Sequence, residues 1–282
     1  MAKIYIINAS GEKEDFSFQK VYESAQRAGA SLKVAEIIAE TIKKEVYPGI
    51  KTSVIFSRVK ALLRKKMPKA SLRFSLKDGI RKLGPTGFPF EAFIGEVFKS
   101  LGYKVKINQH IPGSCLADYE IDFVAQKDKD MYVGECKYRN IGGDNVHSKD
   151  ALANYARFMD IKDGKYFKEQ KSKGYQIKTA LVTNAKFTDD ARNYSSCMGV
   201  NLLGWRYPTN GGLEQIIEQR GLYPITILPS VVGYLKDALV LEQIMLARDI
   251  LKLDVKDFSR KFKVTAKQMD SLTKEAKLLF EP

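Results

Sequence analysis

The amino-acid sequence predicts an α/β protein in three parts: a largely helical domain over residues 1–87, a core of order αβββαβ over 88–210, and a helical segment over 211–282. Three observations carry this reading. Helical periodicity fills the first part and stops at Gly84-Pro85-Thr86-Gly87, whose composition is that of a linker. A new amphipathic helix then gives way to period-two alternation. After Pro224 the apolar residues return to helical spacing and keep it.

Taken in order, Lys3–Asn8 reads as a short strand turned by Ser10-Gly11. From Ser17 a helix follows, with Val21, Ala25 and Ala28 on one face and Gly29 at its end. A second helix is expected from Ser31, its N-cap, to Val46, burying Val34, Ile37, Ile38 and Ile42. Pro48-Gly49 breaks the chain. Thr52 or Ser53 caps a third helix through Ile55, Val59, Leu62 and Leu63, which Pro68 stops, and a last short helix spans Leu72 to Leu83.

In the second part, Phe90, Phe93, Ile94, Val97, Phe98 and Leu101 follow the 3.6-residue period. Tyr103, Val105 and Ile107 alternate as a strand. Residues 118–126 and 131–138 are two more strands, separated by Lys127–Asp130. Helices over about 147–161 and 163–173, a strand at Gln176–Thr183, a helix at Thr188–Met198 and a strand at Val200–Leu203 complete it. In the third part Gly233–Leu251 reads as one helix and Phe258–Leu279 as one or two, with Thr265 as a cap.

The formal charge is +14, and residues 1–87 hold most of it, with 18 Lys and Arg against 8 Asp and Glu. A basic excess of this kind suits a polyanionic partner, because neutralising phosphates releases counterions, although a solvated basic surface reads equally well from charge alone. The three cysteines, Cys115, Cys136 and Cys197, are widely spaced, which speaks against a disulfide framework or zinc knuckle and for a reducing cytoplasm. Two histidines, His110 and His147, are too few for a histidine-based metal site. No signal peptide and no membrane span are expected, since no apolar run approaches ~18 residues.

Hydrolysing a phosphodiester requires neutralising a crowded anion and activating a water; carboxylates holding Mg²⁺ and a nearby lysine do both. The pattern to find is an acid followed by acid-x-Lys. The triplet by itself is uninformative: Glu135-x-Lys137 competes with Glu169-x-Lys171, Glu275-x-Lys277, Asp160-x-Lys162, Asp163-x-Lys165 and Asp254-x-Lys256. Geometry separates them. Met131, Val133, Glu135 and Lys137 share one strand face. If Lys127–Asp130 is a four-residue loop, Gln126 pairs with Met131 and Asp122 falls opposite Glu135, with Cβ atoms about 4.5–5.5 Å apart. Facing carboxylates repel unless a cation lies between them. The competing reading is a hairpin with one solvent-facing polar side; the apolar neighbours Ile121, Phe123, Val124 and Val133 favour a half-buried location.

Phe90-Glu91, Leu101-Gly102-Tyr103-x-Val105, Glu120-Ile121-Asp122 and Glu135-Cys136-Lys137 together resemble the restriction-endonuclease-like nucleases with the PD-(D/E)xK signature, in particular the Mrr type. Ala180-Leu181-Val182-Thr183-Asn184 and Gly199-Val200-Asn201-Leu202-Leu203 extend the resemblance, which covers about residues 88–205. It implies Mg²⁺ ligation by Asp122 and Glu135, water activation aided by Lys137, and a helix-borne Glu91 as a further member of the site. Ile121 stands where the signature has proline. Glu120 is set aside as a surface acid on the opposite strand face.

Residues 1–87 resemble the ATP-cone domain of ribonucleotide reductases and their repressor, through the Ser10-Gly11 turn, Phe16 or Phe18, Lys20-Val21, Thr52, Ile55, Val59 and the Leu76–Leu83 helix. That implies binding of ATP or dATP around Asn8, Ser10, Gly11 and Lys20, although Asn8-Ala9 stands where that family has a basic pair. The favoured function is a Mg²⁺-dependent endodeoxyribonuclease acting on DNA, with self-association left open. The alternatives are a nucleotide-sensing DNA-binding regulator with an inert nuclease fold, and an RNA-cleaving enzyme on the same fold. Tyr138, Arg139, Tyr155 and Arg157 read as a DNA-backbone track or an exposed basic face, and Trp205 as a core residue. The C-terminal helices read as packing or dimerisation elements before a helix-turn-helix-like module.

Overall fold

The computed structural model describes residues 4–84 and 87–280, so Pro85-Thr86 of the expected linker and Lys3 of the first expected strand lie outside the described residues. The N-terminal part builds a three-stranded sheet of order β2-β1-β3. In it, β1 (Tyr5–Ile7) and β2 (Lys13–Asp15) form a hairpin and β3 (Ile50–Lys51) joins β1 in parallel. Neither β2 nor β3 was expected: one is Lys-Glu-Asp and the other has two residues, so neither carries an alternation to detect. Against this sheet pack α1 (Phe18–Arg27), capped by the Ser17 side chain, and α2 (Leu32–Glu45), capped by the Ser31 side chain as expected. The inner face of α2 is Ala35, Ile38, Ala39 and Ile42, while Ile37 is 39% exposed. Successive helical residues lie about 100° apart, so Ile37 and Ile38 do not share the centre of one face. Helix α3 (Thr52–Lys66) has Lys51 at its cap position and no side-chain cap, so neither Thr52 nor Ser53 serves. Pro68 ends α3 and opens α4 (Pro68–Phe74) at the position where its missing N–H costs nothing. The single helix expected over Leu72–Leu83 is two, because the chain breaks at Ser75, whose hydroxyl donates to the Ser71 carbonyl at 3.1 Å; α5 (Leu76–Arg81) follows.

The central part places α6 (Phe88–Ser100) on a five-stranded mixed sheet of order β10-β8-β6-β5-β4. Strands β4 (Lys104–Ile111), β5 (Tyr119–Lys127) and β6 (Asp130–Lys137) form an antiparallel meander. After β7 (Asn145–Val146), helices α7 (Ser148–Asp163) and α8 (Lys165–Ser172) cross over to β8 (Gln176–Thr183), parallel to β6. Then come β9 (Lys186–Phe187), α9 (Asp189–Met198) and β10 (Val200–Leu203), parallel to β8. The β7–β9 pair is a two-residue addition with no sequence signal. The β5–β6 turn is tighter than expected: Lys127 pairs with Asp130, leaving only Asp128-Lys129, with Asp128 at φ 53°. The register is nonetheless the expected one, with Gln126 opposite Met131 and Phe123 opposite Gly134.

The C-terminal part contains α10 (Leu213–Arg220), α11 (Gly233–Leu241), α12 (Val255–Phe262) and α13 (Ala266–Phe280), with single 3₁₀ turns at Ile225–Ile227 and Ala247–Lys252. The helix expected over Gly233–Leu251 therefore stops at Leu241. Gln243 turns the chain at φ 56°, which lets Ile225 N–H reach the Met245 carbonyl at 2.9 Å. Thr265 caps α13, its hydroxyl oxygen accepting from Gln268 N–H. One apolar core runs through all three parts, joining Leu72, Leu76 and Ile80 to Phe90 and Phe93 and to Leu235, Leu239 and Leu272. The N-terminal part keeps a second core of its own around Ile38, Ile42, Val59 and Leu63.

Candidate active site

Strand β6 alternates between the core and a cleft of about 490 Å³, and the cleft receives Glu135 and Lys137. Its other walls bring Asp122, Glu120 and Tyr119 from β5, Asp118 from the loop before it, Glu91 from the first turn of α6, and Arg157 from α7. The four residues singled out from sequence, Glu91, Asp122, Glu135 and Lys137, are thus gathered in one place.

The β5–β6 ladder ends at Phe123 opposite Gly134, one rung short of Asp122 and Glu135. At that point an Asp122 carboxylate oxygen accepts from the Cys136 N–H at 2.6 Å, anchoring the side chain to the neighbouring strand. Glu135 is buried, with 8% of its side chain exposed, and both its oxygens are engaged. Lys137 Nζ lies 2.5 Å from Oε1, and Arg157 Nη1 meets Oε2. The strand end that carries Lys137 is itself tied down: the Thr183 hydroxyl donates to the Lys137 carbonyl at 2.6 Å, and the Asn184 amide brackets the Arg139 N–H and carbonyl at 2.8 and 2.7 Å. Thr183-Asn184 thereby positions the lysine.

Burial, and after it the charges of Asp122, Glu120 and Glu135, push the Glu91 carboxyl up to about 7. Burial and then Glu135 push Asp122 up to about 6, against the opposing pull of the Cys136 N–H. A cation brought among these carboxylates would favour their charged forms and draw both values down. The carboxylates of Glu91, Asp118, Glu120, Asp122 and Glu135 line the space beside Cys136 and the cations Lys137 and Arg157, and carboxylate oxygens are hard donors that suit Mg²⁺. Among the described residues no three His, Cys, Asp or Glu side chains are arranged to enclose an ion. Mg²⁺ in general keeps several waters and takes one or two carboxylates plus substrate phosphate. The donor set therefore fits this ion.

A pH dependence follows. Glu91 and Asp122 bind protons more tightly folded than unfolded, so the folded state holds the extra protons between the ordinary carboxylate range and about pH 7. Stability therefore falls as pH rises through that window. Thermal melts in EDTA should show Tm lower at pH 8 than at pH 5.5, and Mg²⁺ should restore more at pH 8. Glu91→Gln should flatten the trend; an unchanged slope in that variant would place the titration elsewhere.

Two residues of the cleft, Glu120 and Arg157, had been given other roles from the sequence. Glu120 shares strand parity with Asp122 and faces the cleft, contrary to its reading as an acid on the opposite face; the period-two rule alone finds it. Arg157 sits one helical step from the buried Asn154 and Phe158, so it lies at the edge of the inner face of α7 and reaches inward. Tyr138 and Arg139 are both engaged within the fold. The Tyr138 hydroxyl donates to the Arg81 carbonyl at 2.5 Å and accepts from Gly84 N–H at 3.1 Å, joining the N-terminal part to β6. Arg139 pairs with Asp144 and Asp150, each at 3.2 Å, and Tyr155 packs edge-on to Tyr194. Trp205 is buried, as expected.

The candidate nucleotide residues are not gathered. Lys20 lines a cavity of about 280 Å³ between the N-terminal part and the rest, with Arg27, Arg73, Lys77, Trp205 and Arg206. Asn8, Ser10 and Gly11 lie outside its lining. The Asn8 side chain is consumed by its own turn, accepting from Ser10 and Glu12 N–H at 2.9 Å each. Ser10 packs on Gly143, where a Cβ would meet its Oγ at 2.6 Å.

A family model described as restriction endonuclease matches residues 83–204, and one described as AF1548-like, C-terminal, matches residues 223–280. An uncharacterized protein of Archaeoglobus fulgidus is 34% identical over 178 residues, covering 62% of this chain and 93% of that one. The crystal structure of the protein of unknown function AF1548 is 31% identical with a TM-score of 0.58, covering 68% of this chain and 97% of that one. The MspJI restriction endonuclease in complex with a 27-mer oligonucleotide is 15% identical with a TM-score of 0.37, over 62% of this chain and 36% of that one.

Proposed function

We propose, for a chain that belongs to the family of the uncharacterized Archaeoglobus fulgidus protein and of protein AF1548 and carries a restriction-endonuclease-like domain at residues 83–204, that it is a Mg²⁺-dependent endodeoxyribonuclease with a nucleotide-responsive N-terminal domain. The observation that carries the reading is the convergence of Asp122, Glu135, Lys137 and Glu91 in one solvent-open cleft, with the carboxyls of Asp122 and Glu91 raised.

Asp122 and Glu135 would hold the ion, which supplies charge neutralisation of the phosphate and a lowered pKa for the attacking water. Lys137, fixed by Glu135 and by the anchored strand end, presents its ammonium where the nucleophile and the developing negative charge lie. Glu91, with a carboxyl near 7, takes a proton from the water side of the cleft at neutral pH more readily than an ordinary glutamate. Asp122, pinned on the Cys136 N–H, keeps one oxygen oriented and leaves the other for the cleft.

Nicking of supercoiled plasmid in Mg²⁺ against EDTA tests the reading. Cleavage in Mg²⁺ alone supports it. DNA binding without cleavage under both conditions would leave an inert fold, and preferential cleavage of RNA in competition would move the substrate.

The nucleotide response draws support from the cavity between the parts. It collects Lys20, Arg27, Arg73, Lys77 and Arg206 against Glu14, Glu214 and Glu218. Lys77 is open to the cavity yet ringed by protein; burial first, then the charges of Lys186, Arg81 and Arg206, push its amine down to about 8. An ATP or dATP triphosphate would relieve that crowding. Helix α5 runs from Lys77 at the cavity to Arg81, whose carbonyl takes the hydroxyl of Tyr138, the neighbour of Lys137. ATP or dATP should raise Tm and change the nicking rate about fivefold or more, in the range of ordinary allosteric coupling. Tyr138→Phe should keep the Tm rise and lose the rate effect; loss of both, or of neither, would remove this route.

A further inference from the structure

Glu135 is engaged on both oxygens, and the two partners differ in where they come from. Lys137 sits two residues along the same strand face, so its reach toward Oε1 is set by β6 itself. Arg157 comes from α7, across the cleft, and takes Oε2. Its further contact is marginal, a 3.5 Å approach of Nη1 to the Glu120 carbonyl, and 27% of its side chain faces solvent. A carboxylate as buried as Glu135 must be paired. A divalent ion taking Glu135 therefore has to displace a partner, and Arg157 is the one not tied to Glu135 by a shared strand face and with no other firm contact to hold it.

We propose that Arg157 is a placeholder cation: it occupies Glu135 until the divalent ion arrives, then turns its guanidinium to a substrate phosphate in the same cleft. This rests on the nuclease reading and names a positioning residue within it. Before the ion binds, the guanidinium offsets the crowding of Glu135, Asp122 and Glu91 and holds Glu135 in one rotamer. Once displaced, it keeps its charge beside the incoming anion. A planar fork matches a phosphate's paired oxygens, and an ammonium in its place would not. The surface acids Asp118 and Glu120 at the rim leave Arg157 and Lys137 as the cleft's cations.

The test is titration of Mg²⁺ into the full-length protein without DNA, by calorimetry, for the wild type, Arg157→Ala and Arg157→Lys. The salt dependence of DNA affinity and the Mg²⁺-dependent nicking rate are measured in parallel. Arg157→Ala should bind Mg²⁺ roughly threefold tighter or better, since its competitor is gone. The same variant should nick DNA about 10²-fold more slowly and lower the slope of log affinity against log salt by about one. Arg157→Lys, which keeps the charge without the fork, should retain the salt slope and recover only part of the rate. A purely structural pair predicts weaker or unchanged Mg²⁺ binding in Arg157→Ala, and that result overturns the proposal. If Arg157→Ala does not fold, Arg157→Lys decides, because a placeholder with a poorer grip must still yield tighter Mg²⁺ binding than the wild type. A wild type that nicks DNA while the variants bind Mg²⁺ no tighter sinks this inference alone; a wild type that neither binds Mg²⁺ nor nicks sinks the nuclease reading with it.

Discussion

Lys137→Ala and Asp122→Asn are expected to slow Mg²⁺-dependent nicking by about 10³-fold or more, with DNA affinity held within a few-fold. The size follows from what each side chain alone provides. Lys137 places the ammonium in the cleft, and its strand end is locked by Thr183 and Asn184, so no neighbouring cation can shift into its position. Arg157 approaches from α7 on the other oxygen of Glu135, and the phosphate takes its guanidinium once the ion has displaced it, so it does not stand in for Lys137. Asp122→Asn is chosen over alanine because an amide oxygen still accepts from the Cys136 N–H, which keeps the strand spacing while removing the charge. The two variants should fail differently. Asp122→Asn should lose Mg²⁺ affinity along with activity, whereas Lys137→Ala should bind Mg²⁺ at least as well as wild type. Filter-binding of DNA in Ca²⁺ or EDTA separates lost chemistry from lost substrate. Nicking at wild-type rates by either variant would reject the site.

Gly134→Ala is expected to cost about 3 kcal/mol of stability, at the upper end of ordinary overpacking. That should lower Tm by roughly 6–12 °C for a chain of this size. A Cβ at Gly134 would collide with the Phe123 ring of its cross-strand partner, whose Cζ, Cε1 and Cε2 atoms are its nearest neighbours. Phe123 cannot retreat: it is fully buried and packs against Phe98 with ring centroids 4.7 Å apart. On its other side Gly134 faces Ala180 of β8, another small residue. The Phe123–Gly134 rung is the last before Asp122 and Glu135, so opening it should also reduce nicking. Phe123→Leu in the Gly134→Ala background should recover part of the Tm despite being destabilising by itself, a coupling that only residues in contact show. Simple additivity, or a Tm within 2 °C of wild type for Gly134→Ala, would mean that the ring does not lie where it is described.

The hairpin of the candidate site was legible because two short-range rules act together there. Period-two alternation puts Glu135 and Lys137 on one face, and a tight reversal after Gln126 sets which residues face each other. The expectation of a four-residue loop was wrong in its count of unpaired residues and right in register, because Lys127 and Asp130 simply add one more rung. Helix caps at Ser31 and Thr265 were legible for the same reason, since a cap involves residues two or three apart. The breaks at Ser75 and after Leu241 were not. Each is set by what the chain meets across the fold: the shared core for α4 and α5, and the Ile225–Met245 contact for α11. The uniform charge of β2 hid it altogether.

What the sequence determined by itself is local: the order of elements, the hairpin register, and therefore which acids and which lysine could meet. These depend on spacings of a few residues, where backbone geometry leaves little choice. The tertiary structure alone decided that Arg157 closes on Glu135 from 22 residues away. It decided that Glu91 sits deep enough for its carboxyl to rise to about 7, and that Tyr138 joins two parts of the chain instead of facing solvent. Burial and charge proximity depend on how helices lie against the sheet, and that is set by the summed packing of the whole apolar core, which no local pattern encodes.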